Sequence, residues 1–168
     1  KAKYPKGAVP SDTGTLVVWE KCDRLDLRRL RYVVGRIHLE LGRRFRNFIW
    51  NGVKIRVNGE LVEPVDPLLR FEDSSGAKST TYGPEVRLSV RRVIDAGDDT
   101  TGEVVIRFAE LPVDEWYSLS TADKRKKGIT RSAGVSVLRA GREVDYGWFF
   151  MGGKRRENYD NWWRCEVE

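Results

Sequence analysis

Two clusters of cations carry the clearest chemical potential in this chain. One is Lys124, Arg125, Lys126 and Lys127, with Arg131 a few residues on. The other is Lys154, Arg155 and Arg156, close to Trp148, Phe149, Tyr159 and Trp162. Basic residues interleaved with aromatic rings suit phosphate contacts and base stacking. The same residues equally suit a solvated loop beside core aromatics, and no specific nucleic-acid motif accompanies them to decide between the two.

Other reactive side chains are sparse. His38 is the only histidine and falls within a helical pattern, so a Ser–His or Cys–His nucleophile pair is weakly supported. Asp98-Asp99 and Asp114-Glu115 are paired carboxylates in turn-like surroundings, where solvation accounts for them better than acid–base work. Cys22 and Cys165 read as reduced core residues, and with one histidine they cannot form a zinc site of ordinary spacing. There is no GxxxxGK[ST] phosphate loop and no Gly-x-Ser-x-Gly elbow. The site expectation is therefore no catalytic residue, no metal ligand and no cofactor ligand.

Charge is unevenly spread. Residues 1–59 hold fourteen Lys/Arg against five Asp/Glu, residues 60–115 six against thirteen, and residues 116–168 eleven against seven. A basic face and an acidic partner follow as one reading, solvated surface charge as the other. No apolar run approaches the length of a membrane span, and residues 1–10 lack the apolar core of a signal peptide, so a cytoplasmic protein is expected.

The elements that would position these residues alternate between two periods. Residues 1–13 read as an extended lead-in, and 14–168 as one domain. Residues 14–21 (GTLVVWEK) form an apolar run expected to be a buried strand. From Arg24 to Trp50, Leu30, Val34, Ile37, Leu41, Phe45 and Phe48 recur at helical spacing, with Arg28, Arg36, Arg43 and Arg46 roughly opposite. Asp23 is the expected N-cap, with Asp26 in the first turn, and Gly52 suits the C-terminal cap. Such a helix would be roughly 40 Å long. Gly35 and Gly42 inside it predict either a close neighbour or a break.

Three hairpins follow. The first turns at Asn58-Gly59, the strongest two-residue hairpin signal. After a polar loop at 70–83, the second pairs 85–95 with 103–111 across a turn at 96–102. The third turns at Ala140-Gly141. Some helical character lies between Trp116 and Arg125. In the closing stretch, Trp163, Cys165 and Val167 alternate with Arg164, Glu166 and Glu168, the pattern of a half-buried strand whose charged face meets water. The fold class is α+β, a mostly antiparallel sheet of hairpins packed against one long and one shorter helix.

The phrases GTLVVWEKCDRLD, LGRRFRNFI, GVKIRVNGELVEPVDPLL, AGVSVLRAGREVD and WWRCEVE, in that order, resemble the second domain of bacterial GHKL ATPases. These are relatives of gyrase B, the large heat-shock chaperones, MutL and the MORC proteins. The resemblance covers residues 13–168. It implies a transducer-like domain of the type seen in small-subunit ribosomal protein five, following a Bergerat-fold domain that holds ATP and magnesium. It also implies a fragment of a larger ATPase that has no catalytic activity by itself, with the upstream domain as its partner and homodimerisation through the full-length protein. The family's phosphate-sensing lysine would fall just past Glu168, so no residue here takes that role. Lys127 and Arg131, on an earlier loop, are only local substitutes. The competing reading is a small basic nucleic-acid-binding module.

Overall fold

The computed structural model describes residues 13–19, 30–71, 78–93, 99–130 and 133–168. In chain order these form α1 (Leu30–Arg44), α2 (Arg46–Trp50), β1 (Arg56–Val57), β2 (Glu60–Leu61), β3 (Thr80–Thr81), β4 (Val86–Val93) and β5 (Asp99–Glu110). Then come α3 (Val113–Trp116), α4 (Thr121–Lys126), β6 (Gly134–Arg139), β7 (Arg142–Gly147), a 3-10 turn (Asn158–Trp162) and β8 (Trp163–Val167).

The main sheet runs β3-β5-β8-β6-β7, with β4 also paired to β5. All of its pairs are antiparallel except β6 with β8. The α+β class holds, with one parallel pair making the sheet mixed. β8 sits in its middle, flanked by β5 and β6. The two tight turns form at the expected residues. Asn58 and Gly59 have φ of 51° and 86°, and Ala140 and Gly141 of 50° and 75°, as a two-residue turn with left-handed central residues requires.

Several boundaries differ from the sequence reading. The run at 14–19 is not a strand, and Val17 is 70% exposed. No described strand pairs with it, and an apolar run alone does not satisfy its backbone hydrogen bonds. Within the described residues the helical run reaches Trp50 as expected and is interrupted at Phe45, where neither glycine nor proline stands. The N-cap at Asp23, together with Asp26, Arg24, Arg28 and Cys22, lies outside the described residues. β3 forms inside the expected polar loop, and β5 begins inside the expected turn at 96–102. The segment around Trp116 to Arg125 makes two short helices. Ser120 caps α4 by accepting from the Asp123 N–H at 3.1 Å.

The two helical glycines part company. A Cβ on Gly42 would collide with the Glu63 carbonyl oxygen, whereas among the described residues nothing lies within 4 Å of one on Gly35. The Val65 N–H donates to the Gly42 carbonyl at 3.0 Å. Gly42 is where the 63–65 backbone crosses the helix.

The inward side of the helix does not coincide with the apolar stripe, of which Val34, Leu41 and Phe45 are half-buried. Gly42 and Arg46 are the buried residues of the helix, while Leu30, Ile37 and Phe48 of the apolar stripe stay exposed. β8 departs in the same way. Arg164 and Glu166 are buried at 2% and 1% exposure; on the other side Cys165 is buried too, while Trp163 and Val167 are only half-buried. The charged sides of helix and strand face each other, because their charges neutralise one another across the interface.

Candidate functional site

The helix is fixed to the sheet by a buried ion cluster. Arg46 donates from Nη1 to the Glu143 carboxylate on β7 at 3.0 Å and from Nη2 to Glu166 on β8 at 2.7 Å. Arg43 reaches Glu143 at 2.7 Å, and Ser136 Oγ donates to Glu143 at 2.9 Å. Arg107 contacts the other Glu166 oxygen at 3.0 Å, with Arg70 at 3.5 Å. The Arg43 guanidinium also lies 3.3 Å from the centre of the Tyr146 ring, and burial raises the pKa of that phenol. Charges so well paired in a dry interior hold orientation tightly, since moving either partner strands the other.

The opposite face of the sheet is apolar and largely uncovered. Strand register puts Val86, Leu88 and Val90 on one side with Ile106 and Val104, and continues the row through Phe108, Cys165 and Val167. Val86, Leu88, Val90 and Phe108 are 41–47% exposed. β4 and the first half of β5 extend past the rest of the sheet as a two-stranded ribbon, because β8 pairs only with Ile106–Glu110. At the other end the face is partly roofed by Phe150, Met151 and Tyr159, enclosing a cavity of about 680 Å³.

The two predicted basic clusters do not converge. Lys154 is bound to Asp160 at 3.0 Å and lies 4.6 Å from the Tyr159 ring. Burial opposes ionisation of Asp160. The Glu157 N–H, Lys154 and the Trp163 indole overcome it and hold the carboxyl below its ordinary value. Arg156 donates to the Thr130 carbonyl at 2.8 Å, and Arg155 is exposed. These residues fasten the loop before β8 to its surroundings. Lys124 donates to the Tyr117 carbonyl at 2.5 Å and lies over the Tyr117 and Trp162 rings. Arg131 lies outside the described residues.

Arg125, Lys126 and Lys127 line a second cavity, of about 630 Å³, between α1, the turn at 65–69, α4 and β8. Lys127 sits 4.4 Å from the Trp116 ring, which belongs to the core with Leu111 and Ile129. Arg43 and Arg164 complete the cationic wall. Reading the sequence missed both arginines as site residues. An arginine alternating into a strand looks solvent-facing, and only its unusual place beside Cys165 and Glu166 hinted otherwise.

No family model matches this chain, and no curated protein or solved structure matches it either. Chemistry must therefore be read from its own residues. Among the described residues, no group of three His, Cys, Asp or Glu is placed to hold a metal ion, and no helix is long and apolar enough to cross a membrane. His38, half-buried on α1, stands 3.9 Å from the Glu60 carboxylate on β2, and Asp114 and Glu115 are exposed on α3.

Proposed function

We propose that this chain is a non-catalytic, transducer-like domain of a bacterial GHKL-type ATPase, coupling the nucleotide state of an adjacent Bergerat-fold domain to conformational change. The one-sided sheet carries this reading. One face is tied to the helices by buried ion pairs, and the other leaves Val86, Leu88, Val90 and Phe108 in the open. Contiguous apolar surface of that kind marks a place where another body rests.

On this reading the ion cluster makes helix and sheet one rigid lever, and the apolar face is where the neighbouring domain docks. ATP and magnesium are held by that neighbour, and no residue of this chain is assigned to them. The nucleotide acts by favouring one docked orientation. Moving such an equilibrium from mostly open to mostly closed takes about 5.5 kcal/mol of differential affinity. A cytoplasmic location and homodimerisation through the full-length protein belong to the same reading.

The test compares magnesium-dependent ATP binding by this chain alone with binding by the chain joined to the residues encoded before it. Hydrogen exchange is followed along Val86–Val93 in both. Binding only in the longer polypeptide, with nucleotide-dependent protection of that ribbon, supports the proposal. The absence of an upstream nucleotide-binding domain overturns it. Steeply salt-dependent binding of nucleic acid by this chain alone, without the ATP response, favours the basic binding module instead.

A further inference from the structure

The cavity of about 680 Å³ on the apolar side of the sheet is walled mainly by aromatic rings and carries a single charge. Its floor is a cross-strand ladder. Ile106, Phe108 and Glu110 alternate along β5 and stand opposite Val167, Cys165 and Trp163 on β8. Glu110 closes the row, with Trp163 across from it on one side and Thr80 of β3 on the other. Glu110 is exposed, and among the described residues no cation pairs with it. No described Lys, Arg or His lines the cavity. Burial, with Glu166 beside it, lifts the Cys165 thiol to about 11, so that group is uncharged at neutral pH. Glu110 therefore faces the rings without a counter-ion.

Two of those rings already attract ammonium groups. Lys154 Nζ lies 4.6 Å from the centre of the Tyr159 ring, and Lys124 Nζ 5.7 Å from that of Trp162. Both rings line the cavity, whereas neither lysine does. Each lysine is engaged elsewhere, Lys154 by Asp160 and Lys124 by the Tyr117 carbonyl. The Trp163 indole N–H is directed to Asp160 at 3.3 Å, which leaves its ring as what a ligand would meet. Phe150 adds to the roof while 77% exposed, with a φ of 65°. A phenylalanine adopts that left-handed conformation at a cost, and such strain is found at ligand clamps.

We propose that this cavity binds a small quaternary ammonium compound, its charged nitrogen beside Glu110 and the Trp163 ring and its apolar body along Phe108 and Cys165. Ring faces attract a cation, and the unpaired carboxylate adds to that attraction. A primary ammonium is a poorer fit, because its three N–H groups need acceptors and Glu110 is the one carboxylate of the lining. A fully alkylated nitrogen needs none. An anion would meet Glu110 and no positive side chain. The volume is that of a small-molecule site. The proposal does not rest on the ATPase reading, because the site lies wholly within this chain and shares only Phe108 with the exposed residues that carry that reading.

Benzyltrimethylammonium, benzyl alcohol and benzenesulfonate share an aromatic body and differ in charge. Each is titrated into the whole chain by calorimetry, with tryptophan fluorescence as a second reading. The cation is expected to bind at one site, about tenfold more tightly than the alcohol, and the sulfonate is expected not to bind. Glu110→Gln, at an exposed position, should bring the cation to within about threefold of the alcohol. It should leave the melting temperature and alcohol binding in place. Phe150→Ala, on the exposed roof, should weaken both ligands. Cation binding that is absent below about 10 mM, equal to that of the alcohol, or indifferent to the two variants overturns the proposal. A peptide carrying trimethyllysine presents the same group from another source. Tighter binding of that peptide than of the free cation overturns the assignment to a small molecule.

Discussion

The Arg46 guanidinium meets the Glu166 carboxylate at 2.7 Å, and both residues are at most 1% exposed. One arginine of α2 thus joins β7 and β8, through Glu143 and Glu166, to the helix layer. Arg46→Met leaves two buried carboxylates short of a partner, and a loss of about 3–5 kcal/mol is expected. Urea unfolding followed by circular dichroism measures it. Replacing Arg43, Arg46, Glu143 and Glu166 together by apolar residues of similar size, with the more exposed Arg70 and Arg107 free to reach water, should recover most of that loss. A quadruple variant as unstable as the single one would show that the cluster acts by something other than charge pairing.

The helix glycines give a paired test. Gly42→Ala forces a methyl group against the Glu63 carbonyl, and overpacking of this sort costs about 1–3 kcal/mol. Gly35→Ala meets open space and should stabilise by up to about 1 kcal/mol through helix propensity. Thermal melts of the two variants should move in opposite directions. Equal shifts would mean that the 63–65 segment yields without cost.

Asp160 organises the loop before β8, accepting from the Glu157 N–H at 2.8 Å and from Lys154. Its folded pKa lies below its unfolded value. Its contribution is therefore fully present above the unfolded pKa, about 3.9, and is lost as pH falls through the folded pKa. Lys154 is raised by its Tyr159 and Asp160 hydrogen bonds, so its share is present below the unfolded pKa of about 10.4 and is lost as pH rises through the folded value. Asp160→Asn should flatten the fall in melting temperature below about pH 4. An unchanged acid limb would remove Asp160 from that account.

The Cys165 thiol is pushed up to about 11, first by burial and then by Glu166 beside it. In a Cys22→Ser background, iodoacetamide at pH 8 should leave Cys165 unmodified in the native chain and modify it in urea. Mass spectrometry across a urea series reads the ratio. Rapid labelling without urea would mean that β8 opens readily.

The exposed ribbon should tolerate charge. Leu88→Lys with Val90→Lys is expected to change the stability of the chain alone by no more than about 0.5 kcal/mol per site. It should also reduce binding of an apolar dye. Under the transducer reading it further uncouples nucleotide binding in the longer polypeptide from protection of β4. A loss of folding in the chain alone would place these side chains in a core instead.

Much of this fold was legible from local chemistry. Asn58-Gly59 specifies a tight turn because few residue pairs accept two left-handed conformations, whereas at Ala140-Gly141 only the glycine favours one and the alternation on either side specifies the hairpin. Lys127, the fourth residue of its basic cluster, was legible as a cation, but its seat over Trp116 was not.

By itself, the sequence determined the periods: which residues share a side of α1 and which share a side of β8. Only the tertiary structure decided which side turns inward. Arg46 meets partners 97 and 120 positions away, so its burial depends on carboxylates that no local window contains. The same long-range pairing turned the charged side of β8 toward the helices and left Phe108 and the β4 side chains of the other face exposed.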